Sequence, residues 1–192
     1  MRPFLSAVRV AGLVIATVFV SLSAQAEQKL VPSQSEIAFV SKQMGVSVEG
    51  HFKKFDAQIA FDPAKPELSK IAFSIDVASA TLGSPESDAE LPKAIWFNAA
   101  KFPQASFQST SVKGLSGGLF EIAGKLNIKG NVREILIPVR LTQSGSNTIA
   151  TGAFSIKRLA FKIGENEWAD TSMVADDVQV KFKLALTGVG KY

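Results

Sequence analysis

The sequence of 192 residues predicts an all-β protein of about eight antiparallel strands with one short helical segment. Three observations predict it. Apolar and polar residues alternate with a period of two over most of the chain, turn-forming residues separate these runs, and only residues 84–104 break the alternation. Because successive side chains of a strand point to opposite faces, each run builds one apolar and one polar face.

The first predicted strands lie between residues 35 and 61. Just before Lys53 the apolar positions Val46, Val48 and Phe52 are even-numbered, and from Phe55 onward they are odd-numbered. An extra residue inside a strand has this effect, because it moves every later side chain to the other face. The sequence therefore predicts a bulge or bend at Lys53-Lys54.

Later runs repeat the alternation to the end of the chain. They are KIAFSIDV, ASFQSTSV, LFEIAGKL, TGAFSIKRLAF and VQVKFKLAL. Residues 124–141 contain two alternating pieces separated by Gly130-Asn131. Since glycine tolerates the positive φ of a tight turn, this pair predicts a β-hairpin with one apolar face.

The segment 84–104 begins with acidic residues, is bracketed by prolines and carries aromatic residues without a period of two. It predicts a short helix, or two helical turns, capped by Ser84 or Ser87 and packed across strands or over an opening. Its aromatic residues form either a mobile lid over a cavity or a satellite core that holds the loop. These residues are Trp96, Phe97 and Phe102.

Residues 1–26 have the pattern of a cleavable signal peptide. Arg2 and Arg9 give a positive start, Val10 to Val20 are almost wholly apolar, and Ala24-Gln25-Ala26 is a small-residue cleavage site. The pattern predicts export, a periplasmic location and one domain over residues 27–192.

The composition excludes several function classes. The chain has no cysteine, one histidine and a net charge of +4, part of which belongs to the predicted leader. It therefore lacks a thiol nucleophile, a Cys-based metal site and a dense basic track for nucleic acid. His51 beside two lysines is more typical of a surface turn than of catalysis. We expect no enzyme, no required cofactor and no metal; a lipid-modifying enzyme that uses carboxylates stays open.

Strands with one apolar face either close into a barrel or stack as a sandwich. Eight strands make a barrel whose lumen is filled by side chains or holds one slender ligand, and both readings stay open at this point. Parity assigns a row of apolar residues to the inside. They are Phe39, Phe52, Phe61, Phe73, Ile75, Phe107, Leu126, Ile128, Val180 and Phe182.

Several stretches together resemble the YceI-like family of exported bacterial proteins. These are GVSVEGHFKKFDAQIAFDPAKPELSKIAFSIDVASATLG, SDAELPKAIWFNAAKFPQASFQST, IAGKLNIKG and FSIKRLAFKIG, in the family's order and spacing from about Lys29 to Thr187. At two positions where the family commonly has a histidine, this chain has Gln43 and Glu90.

The resemblance implies an eight-stranded antiparallel, lipocalin-like barrel that holds a polyisoprenoid, an isoprenoid quinone or another long lipophilic chain. It implies that the aromatic and apolar residues assigned above are ligand-binding. Transient contact with a membrane or a b-type cytochrome is a further expectation from the family, and a homodimer is an expectation as well. None of these follows from periodicity or composition.

Arg158 shares the parity of the apolar Ile156, which predicts that it points inward. An inward arginine either holds a ligand headgroup through its fork of donors or acts as a structural strut. For the strut, we expect an acidic partner such as Asp88.

Overall fold

The computed structural model describes residues 27–145 and 147–191, so the predicted signal peptide lies outside the described residues. The chain forms a run of antiparallel strands in which every predicted strand is present. They are β1 (Lys29–Leu30), β2 (Glu36–Gln43), β3 (Val46–Phe52), β4 (Phe55–Ala60), β5 (Lys70–Asp76), β6 (Ala80–Thr81), β7 (Gln104–Gly114), β8 (Leu119–Ile128), β9 (Asn131–Ser144), β10 (Asn147–Lys157) and β11 (Asp177–Thr187).

The helical part is small and lies where the alternation fails. Helix α1 spans Pro85–Glu90, and the Ser84 side chain caps it by accepting a hydrogen bond from the backbone N–H of Ser87. Single turns of 3-10 helix occupy Pro32–Gln34, Pro66–Leu68, Val77–Ser79, Arg158–Phe161 and Asn166–Ala169. The all-β prediction with one short helix is confirmed.

The strands form one sheet in the order β4-β5-β7-β8-β9-β10-β11-β2-β3-β6, with β1 paired to β11. Strands β3 and β4 lie near opposite ends of this order, yet only Lys53 and Lys54 separate them in the chain. The predicted bend is therefore where one strand leaves β2 and joins β5. Taken as one bent strand, β3 and β4 bring the two ends of the curled sheet together.

A side chain links the sheet near the other end of β4. The Phe61 N–H donates to the Gln28 side-chain oxygen over 2.8 Å, and the Gln28 amide N–H donates back to the Phe61 carbonyl. Gln28 precedes β1, which pairs with β11. A side-chain amide thus makes the pair of bonds that a neighbouring strand would make.

The hairpin between β8 and β9 turns one residue earlier than predicted. Its two-residue loop is Lys129-Gly130, and both residues have positive φ, 52° and 75°. Asn131 already pairs with Ile128 as the first residue of β9. Two positive φ angles match the right-handed twist of the flanking strands, which is why this turn type is favoured in hairpins.

The buried apolar side chains form a single cluster inside the curled sheet. Ile122, Leu126, Ile137, Val139 and Leu141 contribute alternate positions of β8 and β9 to it. Among the described residues, no helix has both the length and the apolar character needed to span a bilayer.

Candidate functional site

Two apolar cavities lie inside the barrel. The larger has a volume of about 520 Å³ and reaches α1, and the smaller has about 130 Å³ and lies toward the opposite end. They have walls in common, which makes them neighbouring parts of one interior. The shared lining residues are Ile37, Ile75, Leu126, Phe154 and Val180. The lumen is therefore not filled by the side chains of the protein itself.

The structure places nearly all the predicted lumen residues in these walls. Phe61, Phe73, Ile75, Phe107, Leu126, Val180 and Phe182 line the smaller cavity. Phe39, Phe52, Ile75, Trp96, Phe97, Leu126, Ile128, Arg158 and Val180 line the larger one. Parity thus identified the inward face of each strand.

Phe102 is the exception among the predicted site residues. It lines neither cavity, and its ring lies over the hairpin loop, where a Cβ on Gly130 would come within 2.9 Å of it. The Lys101 Nζ lies 5.4 Å from the centre of the same ring. This position does not support the lid alternative for Phe102, because its ring packs on the loop between β8 and β9 and not on a cavity.

Glycines in the strands explain why large phenylalanines leave space. A methyl group on Gly50 would overlap the Phe39 ring, and one on Gly152 would overlap the Phe182 ring. Each pair lies directly opposite in neighbouring strands. Because glycine has no side chain, the ring can lie flat against the wall instead of projecting into the lumen.

The segment after α1 covers the larger cavity with aromatic rings. Trp96 packs on Trp168 with ring centres 5.5 Å apart, and Phe97 meets the edge of Phe52 at 6.1 Å. Trp96 and Phe97 also pack against the main core. They are therefore both a satellite core and the wall of the cavity.

Arg158 organises the turns that complete this end of the barrel. Its side chain points inward as predicted and is only 2 % exposed. All five of its N–H donors go to backbone carbonyls, at 2.6 to 3.0 Å. The acceptors are Ile163, Gly164, Trp168, Val174 and Ala175.

These contacts favour the interpretation of Arg158 as a structural strut, because they leave none of its donors for a ligand headgroup. Burial lowers the pKa of Arg158, and the nearby negative charge of Asp176 partly offsets this. A guanidinium nevertheless stays charged, because its ordinary pKa is so high. Carbonyl dipoles satisfy it in place of a carboxylate in direct contact.

Asp88 is not the partner of Arg158, so that part of the prediction is wrong. The Asp88 carboxylate accepts hydrogen bonds from the Thr81 hydroxyl and from the Leu82 N–H, at 2.5 and 2.7 Å. Lys53 lies 4.0 Å away. The bond from Thr81, followed by that from Leu82, lowers the pKa of Asp88. Asp88 thereby ties α1 to β6.

Sequence reasoning missed the polar part of the larger cavity. Its lining includes Ser41, Gln43, Glu86, Ser87 and Glu90. Parity alone places Ser41 and Gln43 on the same face of β2 as Ile37, so the signal was present. No pattern in the sequence shows that α1 folds over these residues. Gln43, Glu86 and Glu90 are exposed, so the cavity reaches the surface here.

The arrangement offers little for metal binding. The described residues contain no group of three or more His, Asp or Glu side chains that could hold a metal ion. His51 lies exposed on β3. What the site offers is apolar surface, with polar groups only in the larger cavity.

A curled antiparallel sheet around an apolar interior defines a lipocalin-like β-barrel. The chain belongs to the YceI-like domain family, whose model matches residues 28–186. It is 31 % identical over 141 residues to a UPF0312 protein of Ectopseudomonas mendocina, covering 71 % of this chain and 74 % of that protein. Protein YceI of Salmonella arizonae is 33 % identical over 133 residues, covering 67 % of this chain and 69 % of that one.

Solved structures show the same fold. BcnA of Burkholderia cenocepacia matches with a TM-score of 0.79 and 42 % identity, over 81 % of this chain and 98 % of that one. A polyisoprenoid binding domain from Saccharophagus degradans matches with a TM-score of 0.67 and 17 % identity, over 84 % of this chain and 98 % of that domain. The family resemblance in the sequence is confirmed.

Proposed function

We propose that the protein is a periplasmic carrier that holds one long isoprenoid chain, a polyprenyl lipid or an isoprenoid quinone, inside the barrel. The single observation that carries this proposal is the pair of adjacent, mainly apolar cavities with shared walls inside the barrel. Such surface prefers hydrocarbon to water by roughly 25 cal/mol per Å². The polyisoprenoid binding domain of Saccharophagus degradans has the same fold, which supports the same ligand class.

The proposed binding residues are those that line the cavities, without Phe102. Binding needs no catalytic group and no cofactor, and we propose that the protein is not an enzyme. Carboxylate chemistry by Glu86 or Glu90 at the opening is the competing function, since these are the acidic side chains in the lining. Incubation with isoprenoid lipids and analysis for altered products would separate the two.

The proposal extends to the partner that exchanges the cargo. Met44, Val46 and Met173 are exposed, by 67 %, 67 % and 41 %, and lie near the opening. The Met44 N–H donates to the Met173 carbonyl, so the segments that carry these exposed side chains lie next to each other. This surface supports transient contact with a membrane or a b-type cytochrome. A homodimer is a further part of the proposal.

The test is extraction of protein purified from its native host, with mass spectrometry of the organic phase. We expect a long isoprenoid to be recovered. Val180→Phe, placed where both cavities share a wall, should lower uptake of added polyprenol by about tenfold, because the larger ring takes up space that the guest would occupy. Gln179→Met on the opposite face of β11 is the matched control. Empty protein that takes up no added isoprenoid contradicts the proposal.

A further inference from the structure

Strand β2 changes from apolar to polar along its inward face. Ile37, Phe39, Ser41 and Gln43 all line the larger cavity, and they follow one another toward its opening. Ile37 is buried and also borders the smaller cavity, whereas Gln43 is exposed beside α1. The polarity of this wall therefore increases from the interior toward the opening. An amphiphilic guest with an apolar tail would lie with its tail toward Ile37 and its head toward Gln43.

The hydroxyl of Ser41 is the unusual group in this wall. Its Oγ is shielded from solvent and has no hydrogen-bond partner among the residues that the structure describes. The residue opposite it on β3 is Val48, whose side chain offers none. Shielded polar atoms in folded proteins nearly always have a partner, because an unmade hydrogen bond costs stability. Because the Oγ is shielded even from the cavity that the Ser41 side chain lines, a rotation about the Cα–Cβ bond is needed for the hydroxyl to meet a group that enters.

The charges around this hydroxyl disfavour an anionic headgroup. Glu86 and Glu90 line the same cavity and bring negative charge to its opening, although Lys93 pairs with Glu90 on the outer side. The cation in the lining is Arg158, and backbone carbonyls use all five of its donors. A phosphate bound here would face the negative charges of Glu86 and Glu90, and the cation in the lining has no free N–H donor.

We infer that Ser41 anchors the headgroup of the cargo and that this headgroup is uncharged. It is a hydroxyl, carbonyl or amide on a long apolar chain, held at the α1 end by one hydrogen bond from or to the Ser41 Oγ. Phosphorylated isoprenoids are selected against. This inference rests on the proposed function, since it assigns the polar end of a guest whose tail the proposed function places in the barrel.

The experiment compares three probes that have the same apolar tail: geranylgeraniol, geranylgeranyl monophosphate and the corresponding hydrocarbon without the hydroxyl. The chain has two tryptophans, and both Trp96 and Trp168 line the larger cavity, so intrinsic fluorescence reports binding there directly. Ser41→Ala removes the anchor. Ser47→Ala, an exposed serine on the neighbouring strand, is the matched control.

We expect the alcohol to bind most tightly and the monophosphate at least about tenfold more weakly. Ser41→Ala should lower the affinity for the alcohol by about threefold to tenfold, the effect of one hydrogen bond, and leave the affinity for the hydrocarbon unchanged. The empty Ser41→Ala protein should melt roughly 2–4 °C higher, because it no longer buries an unpaired hydroxyl. Ser47→Ala should behave as wild type in every assay.

Two outcomes overturn the inference while the proposed function stands. One is a monophosphate that binds as tightly as the alcohol, and the other is an alcohol whose affinity is the same in Ser41→Ala and wild type. The second outcome would mean that an ordinary water molecule satisfies the hydroxyl. If none of the probes binds, the hydrocarbon included, the proposed function fails and the inference fails with it.

Discussion

The two cavities of the barrel are built differently. Side chains of strands line almost all of the smaller cavity, and every one of them is apolar. The larger cavity is lined by strands on one side and by α1 and the turns around Trp96, Arg158 and Trp168 on the other, and it includes polar groups. Its volume is about 520 Å³ against about 130 Å³.

The difference shows what each kind of element contributes. Strands of a curled sheet keep a fixed separation, so the space between their inward side chains stays small. Turns that cover the end of the sheet are free of this restriction, and they leave a wider space when a buried group holds them at a distance. Here Arg158 holds them. We therefore expect the larger cavity to depend on a few polar contacts and the smaller one on apolar packing alone.

The largest expected effect comes from Arg158→Ala. The change leaves three buried and two half-buried carbonyls without their donor, and we expect it to lower the free energy of unfolding by about 3–5 kcal/mol. It should disrupt the larger cavity and spare the smaller one. Urea unfolding followed by circular dichroism measures the loss of stability, and tryptophan fluorescence measures the disruption of the larger cavity.

Two variants make this prediction specific. Arg158→Lys keeps the charge but cannot reach five acceptors, so it should behave nearly as badly as alanine. Lys157→Ala removes the neighbouring side chain, which is exposed and paired with Asp177, and should leave stability unchanged within error. Wild-type stability of Arg158→Lys would show that charge, not geometry, holds the turns.

Two glycine variants compare the cavities directly. Gly152→Ala places a methyl group against the Phe182 ring, which lines the smaller cavity, and within 2.6 Å of the Pro138 carbonyl oxygen. Gly50→Ala places one against the Phe39 ring, which lines the larger cavity, and within 2.7 Å of the Thr81 carbonyl oxygen. Overpacking of this kind costs about 1–3 kcal/mol, and we expect Gly152→Ala to be near the upper end because the smaller cavity has less room. Gly50→Ala should lose less stability but more affinity for polyprenol.

Thermal melts and polyprenol titrations of both variants measure these effects. Gly190→Ala is the control, because a methyl group there has its nearest neighbour at 3.9 Å. The comparison fails if the two variants show the same ratio of lost stability to lost affinity.

The smallest expected effect concerns acid. Hydrogen bonds from Thr81 and Leu82 lower the pKa of Asp88 below its ordinary value of 3.8. Because the folded pKa is below the unfolded one, the stabilisation is complete above that ordinary value and is lost as the pH falls through the folded pKa. We expect α1 to loosen only in strong acid, with a change in tryptophan fluorescence.

Asp88→Asn tests this assignment. At neutral pH the variant should already show the tryptophan fluorescence that the wild type shows in strong acid, with little further change on acidification. An acid transition that is identical in Asp88→Asn and wild type would assign the effect to another carboxylate.

Much of the fold was predictable because strand parity is a strong signal. The alternation located every long strand, the break at Lys53-Lys54 and the inward orientation of Arg158. The prediction failed where contacts depend on turns. It placed the hairpin turn one residue late, chose Asp88 as the partner of Arg158 and counted Phe102 among the residues at the cavity, because none of these follows from a period of two.

By itself, the sequence determined which side chains face inward, since a pleated strand allows only two faces and the apolar residues choose one. It also carried enough of the family's pattern to indicate a barrel. Whether that interior is empty or full was decided only by the tertiary structure. The answer depends on Gly50 and Gly152 lying opposite Phe39 and Phe182, and on five backbone carbonyls from the turns after Arg158 converging on its guanidinium. Such contacts form between paired strands and between a side chain and the turns that follow it, and a period of two contains no record of them.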